Sequence, residues 1–348
     1  MTIKELIISE IKKKGKINTE EFINLCMYGE NGYYIQKKPI GKKNDFITAP
    51  EISQMYGEIL GLFIINYWKE NISTKFNLVE LGPGKGTLIN DILRIAEIMK
   101  PFKDLMYLSL IEKNKHYIKS QMDNLNKIDL NKIFFSEEFK INNHLFPSII
   151  FSNEFFDCFP IRQFYKKEKW YERFVKYNAS TDFFNFISDE GNEKKILSKL
   201  QKFNYVKVAE IWESRNLYFE KICKFIKKNK GVIITIDYGY KNTPNFFSLQ
   251  TLYNHKKSHL FENIGNQDIS SYVNFDEFIN IAKFNGLKIE IYCTQKDFLS
   301  SLVIEERKNK LKINKTNKVC DKLDFEFKRL MDNSEMGNIF KVLVVSCL

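Results

Sequence analysis

An acid, three spaced glycines and a second acid are the residues whose order first suggests chemistry. Glu80 sits at the end of the apolar run "NLVEL" and is followed by Gly82, Pro83, Gly84, Lys85, Gly86 and Thr87; Glu112 closes the next apolar run, "MYLSLIE". Glycines at such a bend let the backbone approach a ligand with no Cβ in the way. The dinucleotide pattern G-x-G-x-x-G needs glycine where Thr87 stands, and no Lys-Ser/Thr pair follows at the spacing of a phosphate-binding P-loop. A pyrophosphate beside Glu80 would also meet like charge in a partly desolvated cleft. S-adenosylmethionine carries a sulfonium and an ammonium instead, and a carboxylate favours both. Glu112 suits ribose hydroxyls, which NAD shares, so that acid does not discriminate.

A third cluster is "FSNEFFDCFP", where Asn153, Glu154 and Asp157 stand among phenylalanines at the end of another apolar run. Two carboxylates there are candidates to hold a guanidinium through charge-assisted hydrogen bonds; capping of the following segment is the plainer reading. A fourth is "TAPEIS". Thr48 and Glu51 are spaced as a capping box with Pro50 in the first turn, which predicts a helix start lying over the cofactor as a partial lid.

Bulk properties narrow the classes. The 348 residues are 44% hydrophobic, enough for one large domain with insertions or two modest ones. No apolar run approaches the ~18 residues of a membrane span. The N-terminus reads as an amphipathic helix without a cleavage motif, so the expected location is the bacterial cytoplasm, or the mitochondrial matrix of a eukaryote although no leader is visible. The net charge of +11 comes almost entirely from dispersed lysine, with arginine only at 94, 162, 173, 215, 307 and 329. That favours a solvated surface over a nucleic-acid partner. Six scattered cysteines without a C-x-x-C pair imply reduced, mostly buried thiols. His255 and His259 lack a third ligand nearby, so no metal is expected.

These residues need a scaffold. Apolar residues from Ile52 to Tyr67 trace one face of a long helix, and residues 1–69 read as an N-terminal helical region. From residue 70 onward, β-branched runs alternate with helical patterns: "NLVEL", "MYLSLIE", "KIFFS", "SIIFSNEFF", "GVIITIDYG", "LKIEIYC" and "FKVLVVSC". This predicts an α/β, doubly wound sheet buried on both faces, with the last strand antiparallel at one edge. Residues 160–205 read as an inserted β-hairpin region and 240–275 as a long aperiodic insertion, both candidates for a substrate rim.

The segments "ENGYY", "DFITAPEIS", "VELGPGKGTL", "SNEFFDCFPIRQF", "VAEIW", "IDYGY", "DISSYVNF" and "MGNIFKVL" occur together in that order. In this the chain resembles the MidA-like S-adenosylmethionine-dependent methyltransferases, a family that includes the mitochondrial complex I assembly factor 7. The resemblance implies a class I methyltransferase, Rossmann-like fold with helical and inserted elements. It also implies protein-arginine methylation, in the mitochondrial member on a subunit of the NADH dehydrogenase. The family's cofactor motif falls on Glu80, Gly82, Pro83, Gly84 and Gly86, its second acid on Glu112, its "NEFFD" segment on Asn153 to Asp157, and its capping segment on Asp45 to Ser53. Thr48, Pro50, Thr87 and Asn153 complete the expected cofactor set, with Glu154 and Asp157 as catalytic residues. Asn44, Tyr272 and Asn274 depart from the pattern where the family has glycine, histidine and aspartate. A homodimer is compatible with the pattern. An NAD-linked oxidoreductase, a non-catalytic cofactor-binding assembly protein, and methylation of RNA or a small molecule stay open on these residues.

Overall fold

The computed structural model describes all residues except 37–40, 42–46, 126–131, 142–144, 191–193 and 204. Asn44 and Asp45 therefore lie outside the described residues. The chain packs as two units. One, the Rossmann-like unit, comprises Ile47–Phe155, Phe219–Gly239 and Glu277–Leu348; the other, the auxiliary unit, comprises Met1–Phe46, Phe156–Tyr218 and Tyr240–Asp276.

Seven strands organise the Rossmann-like unit: β1 (Phe76–Leu81), β2 (Met106–Ile111), β3 (Ile133–Ser136), β4 (Ser148–Asn153), β5 (Gly231–Tyr240), β6 (Lys288–Thr294) and β7 (Phe340–Cys347). They lie in the order β6-β7-β5-β4-β1-β2-β3. The first five are mutually parallel where they pair, and β7 runs antiparallel to both β5 and β6. The expected antiparallel last strand is thus present but not at the edge. Its residues Val342 to Val345 are all buried, which needs cover on both faces and both sides. The edge position falls to β6, whose "KIEIYCT" alternates and is only partly buried.

Strand order reverses between β1 and β4, and in open α/β sheets the crevice at such a reversal, at the carboxyl ends of strands, is where ligands bind. Glu80 of β1 is in register with Phe151 of β4 and Leu110 of β2. The glycine loop, Glu112 and the Asn153–Glu154 pair therefore leave adjacent strands at that end.

Helix α1 (Gln54–Asn71) packs on α2 (Thr87–Ala96) at very short range. A Cβ at Gly57 would stand 2.5 Å from the Asp91 Cβ, and one at Gly61 would stand 3.1 Å from the Ile92 Cα. Trp68, Phe76 and Phe102 close the lower end, with ring centroids 4.9–5.7 Å apart. Burying each such side chain stabilises the unit by about 2–3 kcal/mol before entropy is counted.

This packing corrects the boundary expected at residue 69. Residues 47–69 belong to the Rossmann-like unit because α1 shares its core with α2 and the sheet. Residues 3–34 instead share a core with both insertions. Strand Ile17–Asn18 pairs with Trp170–Asn178, placing Ile17 opposite Val175, and the Thr19 hydroxyl donates to the Ile161 carbonyl at 2.8 Å. The hairpin region contains the antiparallel strands Arg162–Lys166, Trp170–Asn178 and Phe183–Glu190. The 240–275 stretch holds a small three-stranded sheet, Gln250–Tyr253, Lys256–Lys257 and Asp268–Ser270. Of the cysteines, only Cys26 and Cys223 are fully buried, fewer than expected. No helix among the described residues is long and apolar enough to cross a membrane.

Candidate cofactor and methyl-transfer site

The bend after β1 uses all three glycines in the left-handed region, with φ of 65° at Gly82, 54° at Gly84 and 80° at Gly86. Side chains other than glycine rarely adopt such angles in succession. At Gly82 space is missing as well, since a Cβ would lie 2.7 Å from the Phe155 ring. Pro83 closes the turn through its carbonyl, which accepts the Gly86 N–H at 2.8 Å, and Gly86 then caps α2.

Two acids face this bend. Glu112 accepts the Gly84 N–H at 3.1 Å and the Asn114 N–H at 2.8 Å. Burial pushes its carboxyl up to about 7, against the opposing pull of the Asn114, Gly84 and Lys113 amides and Gln121. Glu80 is almost wholly buried, and its Oε2 has no hydrogen-bond partner among the described residues. Burial, and then the Glu112 carboxylate, raise the Glu80 carboxyl well above the usual range. A buried carboxylate without a partner is costly unless a cation or donor arrives to pair with it. The donor set thus suits a ligand that brings an ammonium and ribose hydroxyls into one acid-lined, bare-backbone cradle.

The segment expected as a lid is built differently from its sequence reading. Ala49–Ile52 forms one helical turn with Pro50 buried in its first positions, and Thr48 makes no side-chain cap. Ser53 is extended, with φ −153° and ψ 135°, and its hydroxyl accepts the Met55 N–H, so α1 starts afresh there. The capping box and the continuous helix are therefore absent. Glu51 turns instead to the glycine loop, accepting from the Thr87 hydroxyl and pairing with the Lys85 ammonium at 3.1 Å. Thr87 is engaged with Glu51 at the start of α2.

At the end of β4, Asn153 Nδ2 donates to Glu154 Oε1 at 3.1 Å, and the Ala49 N–H donates to the same oxygen at 3.0 Å. Glu154 has φ 50°, an uncommon angle for its type. Its backbone is pinned on both sides: its N–H donates to the Ile236 carbonyl at 3.0 Å and the Phe155 N–H to Asp237 Oδ2 at 3.2 Å. Strain of this kind persists where the surroundings over-determine it.

Asp157 has other neighbours. It belongs to the auxiliary unit, is buried, and its carbonyl accepts the Ser271 N–H at 2.9 Å. Its carboxylate adds to the burial that keeps the Tyr28 and Tyr34 hydroxyls protonated. Glu154 and Asp157, expected as one clamp, fall in different units.

No sequence motif marks Gln121, Tyr56 or Asp237 as a site residue. Gln121 is fully buried and donates to the Gly84 carbonyl at 2.6 Å. Its signal was available: Tyr117, Gln121 and Leu125 follow an i, i+4, i+8 inward phase, and a polar residue on an inward face needs a partner. Tyr56 lies on the buried face of α1, and its hydroxyl donates to Asn153 Oδ1.

Residues 59–293 match the sequence profile of the S-adenosyl-L-methionine-dependent methyltransferase family Methyltransf_28. The chain belongs to this family. The methyltransferase is 28% identical to a Caenorhabditis elegans protein named protein arginine methyltransferase NDUFAF7 homolog, mitochondrial, with 97% of this chain and 85% of that protein covered. It is 26% identical to the human protein arginine methyltransferase NDUFAF7, mitochondrial, with 96% and 81% covered. A crystal structure from Burkholderia thailandensis bound to S-adenosyl-homocysteine shares the fold, with a TM-score of 0.85 at 19% identity over 99% of this chain and 92% of that one. The expected α/β class and methyltransferase fold are borne out, and S-adenosylmethionine is the cofactor.

Proposed function

We propose that this methyltransferase modifies arginine side chains of a protein, the activity for which its animal relatives are named. The observation that carries the reading is the carboxylate of Glu154, fixed by two donors at the end of β4 beside the strand that carries the cofactor loop. Glu80 would take the cofactor's ammonium, Glu112 its ribose hydroxyls, and the backbone of Gly82, Gly84 and Gly86 would let it lie close. When bound, the cofactor supplies an electrophilic methyl group on a positively charged sulfur.

An arginine guanidinium is also a cation, so its approach to that sulfur is opposed. Two unit charges about 4 Å apart at an effective dielectric near 20 repel by roughly 4 kcal/mol. A carboxylate beside the guanidinium offsets repulsion of that size and aligns the nitrogen. Glu154 holds the guanidinium and accepts, directly or through water, the proton that leaves the nitrogen as the N–C bond forms. The S–C bonding pair returns to sulfur, so charge balances. Asp157, three residues on in the same segment, is the second proposed catalytic residue.

As finer points of the same reading, the acceptor is a subunit of a respiratory NADH dehydrogenase and the enzyme works in the bacterial cytoplasm, as a homodimer or alone. The test is direct. A lysate from a strain lacking the enzyme is incubated with purified enzyme and labelled methyl donor, and modified residues are mapped by mass spectrometry. Methyl-arginine in a protein is expected; label confined to RNA or small molecules would overturn the substrate class.

A further inference from the structure

Tyr56 is fully buried in α1, and its hydroxyl donates to Asn153 Oδ1. The other end of that amide donates to Glu154 Oε1. Three side chains thus form one directed chain, from phenol to amide to carboxylate, inside the Rossmann-like unit. We infer that Tyr56 is a positioning residue for methyl transfer, acting through the Asn153 amide to hold the Glu154 carboxylate in its working orientation. The inference rests on the role given to Glu154 above.

The direction of the chain follows from what each group can do. An amide side chain has two orientations of nearly equal shape, and the hydrogen-bond network selects between them. Turned the other way, Asn153 would present its oxygen to the Glu154 carboxylate, two acceptors with no proton between them. Tyr56 opposes that alternative, because its buried O–H would lose the acceptor it has in Asn153 Oδ1. Burial, and then the Glu154 and Asp237 carboxylates, hold its hydroxyl protonated well above the usual phenol range, so it stays a donor at all working pH values. The Ala49 N–H and the pinned backbone at φ 50° fix the remaining freedom of Glu154. A phenylalanine would fill nearly the same volume, so the hydroxyl is there for its bond.

Satisfying a buried hydroxyl is a purely structural alternative, and a double-mutant cycle separates the two. The rate read is transfer of tritiated methyl from S-adenosylmethionine into proteins of the deletion-strain lysate at fixed protein concentration. Tyr56→Phe is expected to lower the rate at saturating cofactor about tenfold while KM for the cofactor and S-adenosylhomocysteine affinity stay within twofold. Tyr56→Phe with Asn153→Ala should be no slower than Asn153→Ala alone, because the two act on one carboxylate. A full-rate Tyr56→Phe enzyme, or losses that multiply in the double variant, would overturn the positioning role. Glu154→Gln runs alongside. If it is inactive while Tyr56→Phe runs at full rate, only the positioning inference fails; if it is fully active, the role of Glu154 fails first.

Discussion

The Glu112 carboxylate, at the end of β2, accepts the backbone N–H of Gly84 at 3.1 Å, with the buried Glu80 as its like-charged neighbour. Two acids that close, in a site built to receive a cation, cannot both ionise freely without the ligand. The Glu112 carboxyl sits at about 7, above its ordinary value of 4.5. Below that pH it carries a proton and accepts ligand donors poorly. S-adenosylhomocysteine, which keeps the ammonium and ribose, should therefore bind more tightly as pH rises from 6 to 8, by about tenfold if one ionisation near 7 controls it. Calorimetry across that range checks this, and affinity that is flat or falls would contradict it.

The same shift bears on stability, with the opposite sign. A carboxyl whose folded pKa is raised contributes stability that is present below its unfolded pKa and lost as pH climbs through its folded pKa. The ligand-free protein should lose thermal stability between about pH 4.5 and 7, and S-adenosylhomocysteine should restore it most at the upper end. Thermal melts with and without ligand at pH 5 and pH 8 measure the difference.

Gly84 holds φ 54°, in the left-handed region that side chains other than glycine rarely adopt. A Gly84→Val variant should fold less stably, by about 1–3 kcal/mol, and lose S-adenosylhomocysteine binding at millimolar concentration. Unchanged binding in calorimetry would remove the loop from the cofactor site.

Glu58 is buried and accepts from Arg94 at 3.2 Å and from Arg307 at 2.8 Å, joining α1, α2 and the later helix Ile304–Lys312. Removing it takes this partner from Arg307, while Arg94 keeps its pair with Asp91 at 2.8 Å. Arg94 is half-exposed and Arg307 one-third exposed, so water recovers part of the loss. Glu58→Ala should cost about 2 kcal/mol in urea unfolding, with little change in cofactor affinity.

The sheet and the glycine bend were legible because their signals are local. Unbroken β-branched runs such as "GVIITI" have few homes other than a strand buried on both faces, and glycines at 82, 84 and 86 have few uses other than a bend that excludes Cβ atoms. Position within the sheet was less legible. That β7 lies between β5 and β6 depends on which strands compete for the edge, and only the alternation in "KIEIYCT" hinted at it. Partnership between distant side chains was least legible. Thr48 and Glu51 fit a capping box by spacing, yet Ser53 caps the following helix and Glu51 binds the Thr87 hydroxyl, a contact between segments 36 residues apart. Likewise Glu154 and Asp157 are three residues apart in sequence but fall in separate units, whose boundary lies between Phe155 and Phe156.

The most direct measurement pairs two readouts on one variant, Glu154→Gln. Arginine methylation of lysate protein should fall by about a hundredfold or more, the scale of losing an orienting acid or base, while S-adenosylhomocysteine affinity stays within a few-fold of wild type. Retained methylation, or an equal loss of both, would contradict a role for this carboxylate in the transfer itself.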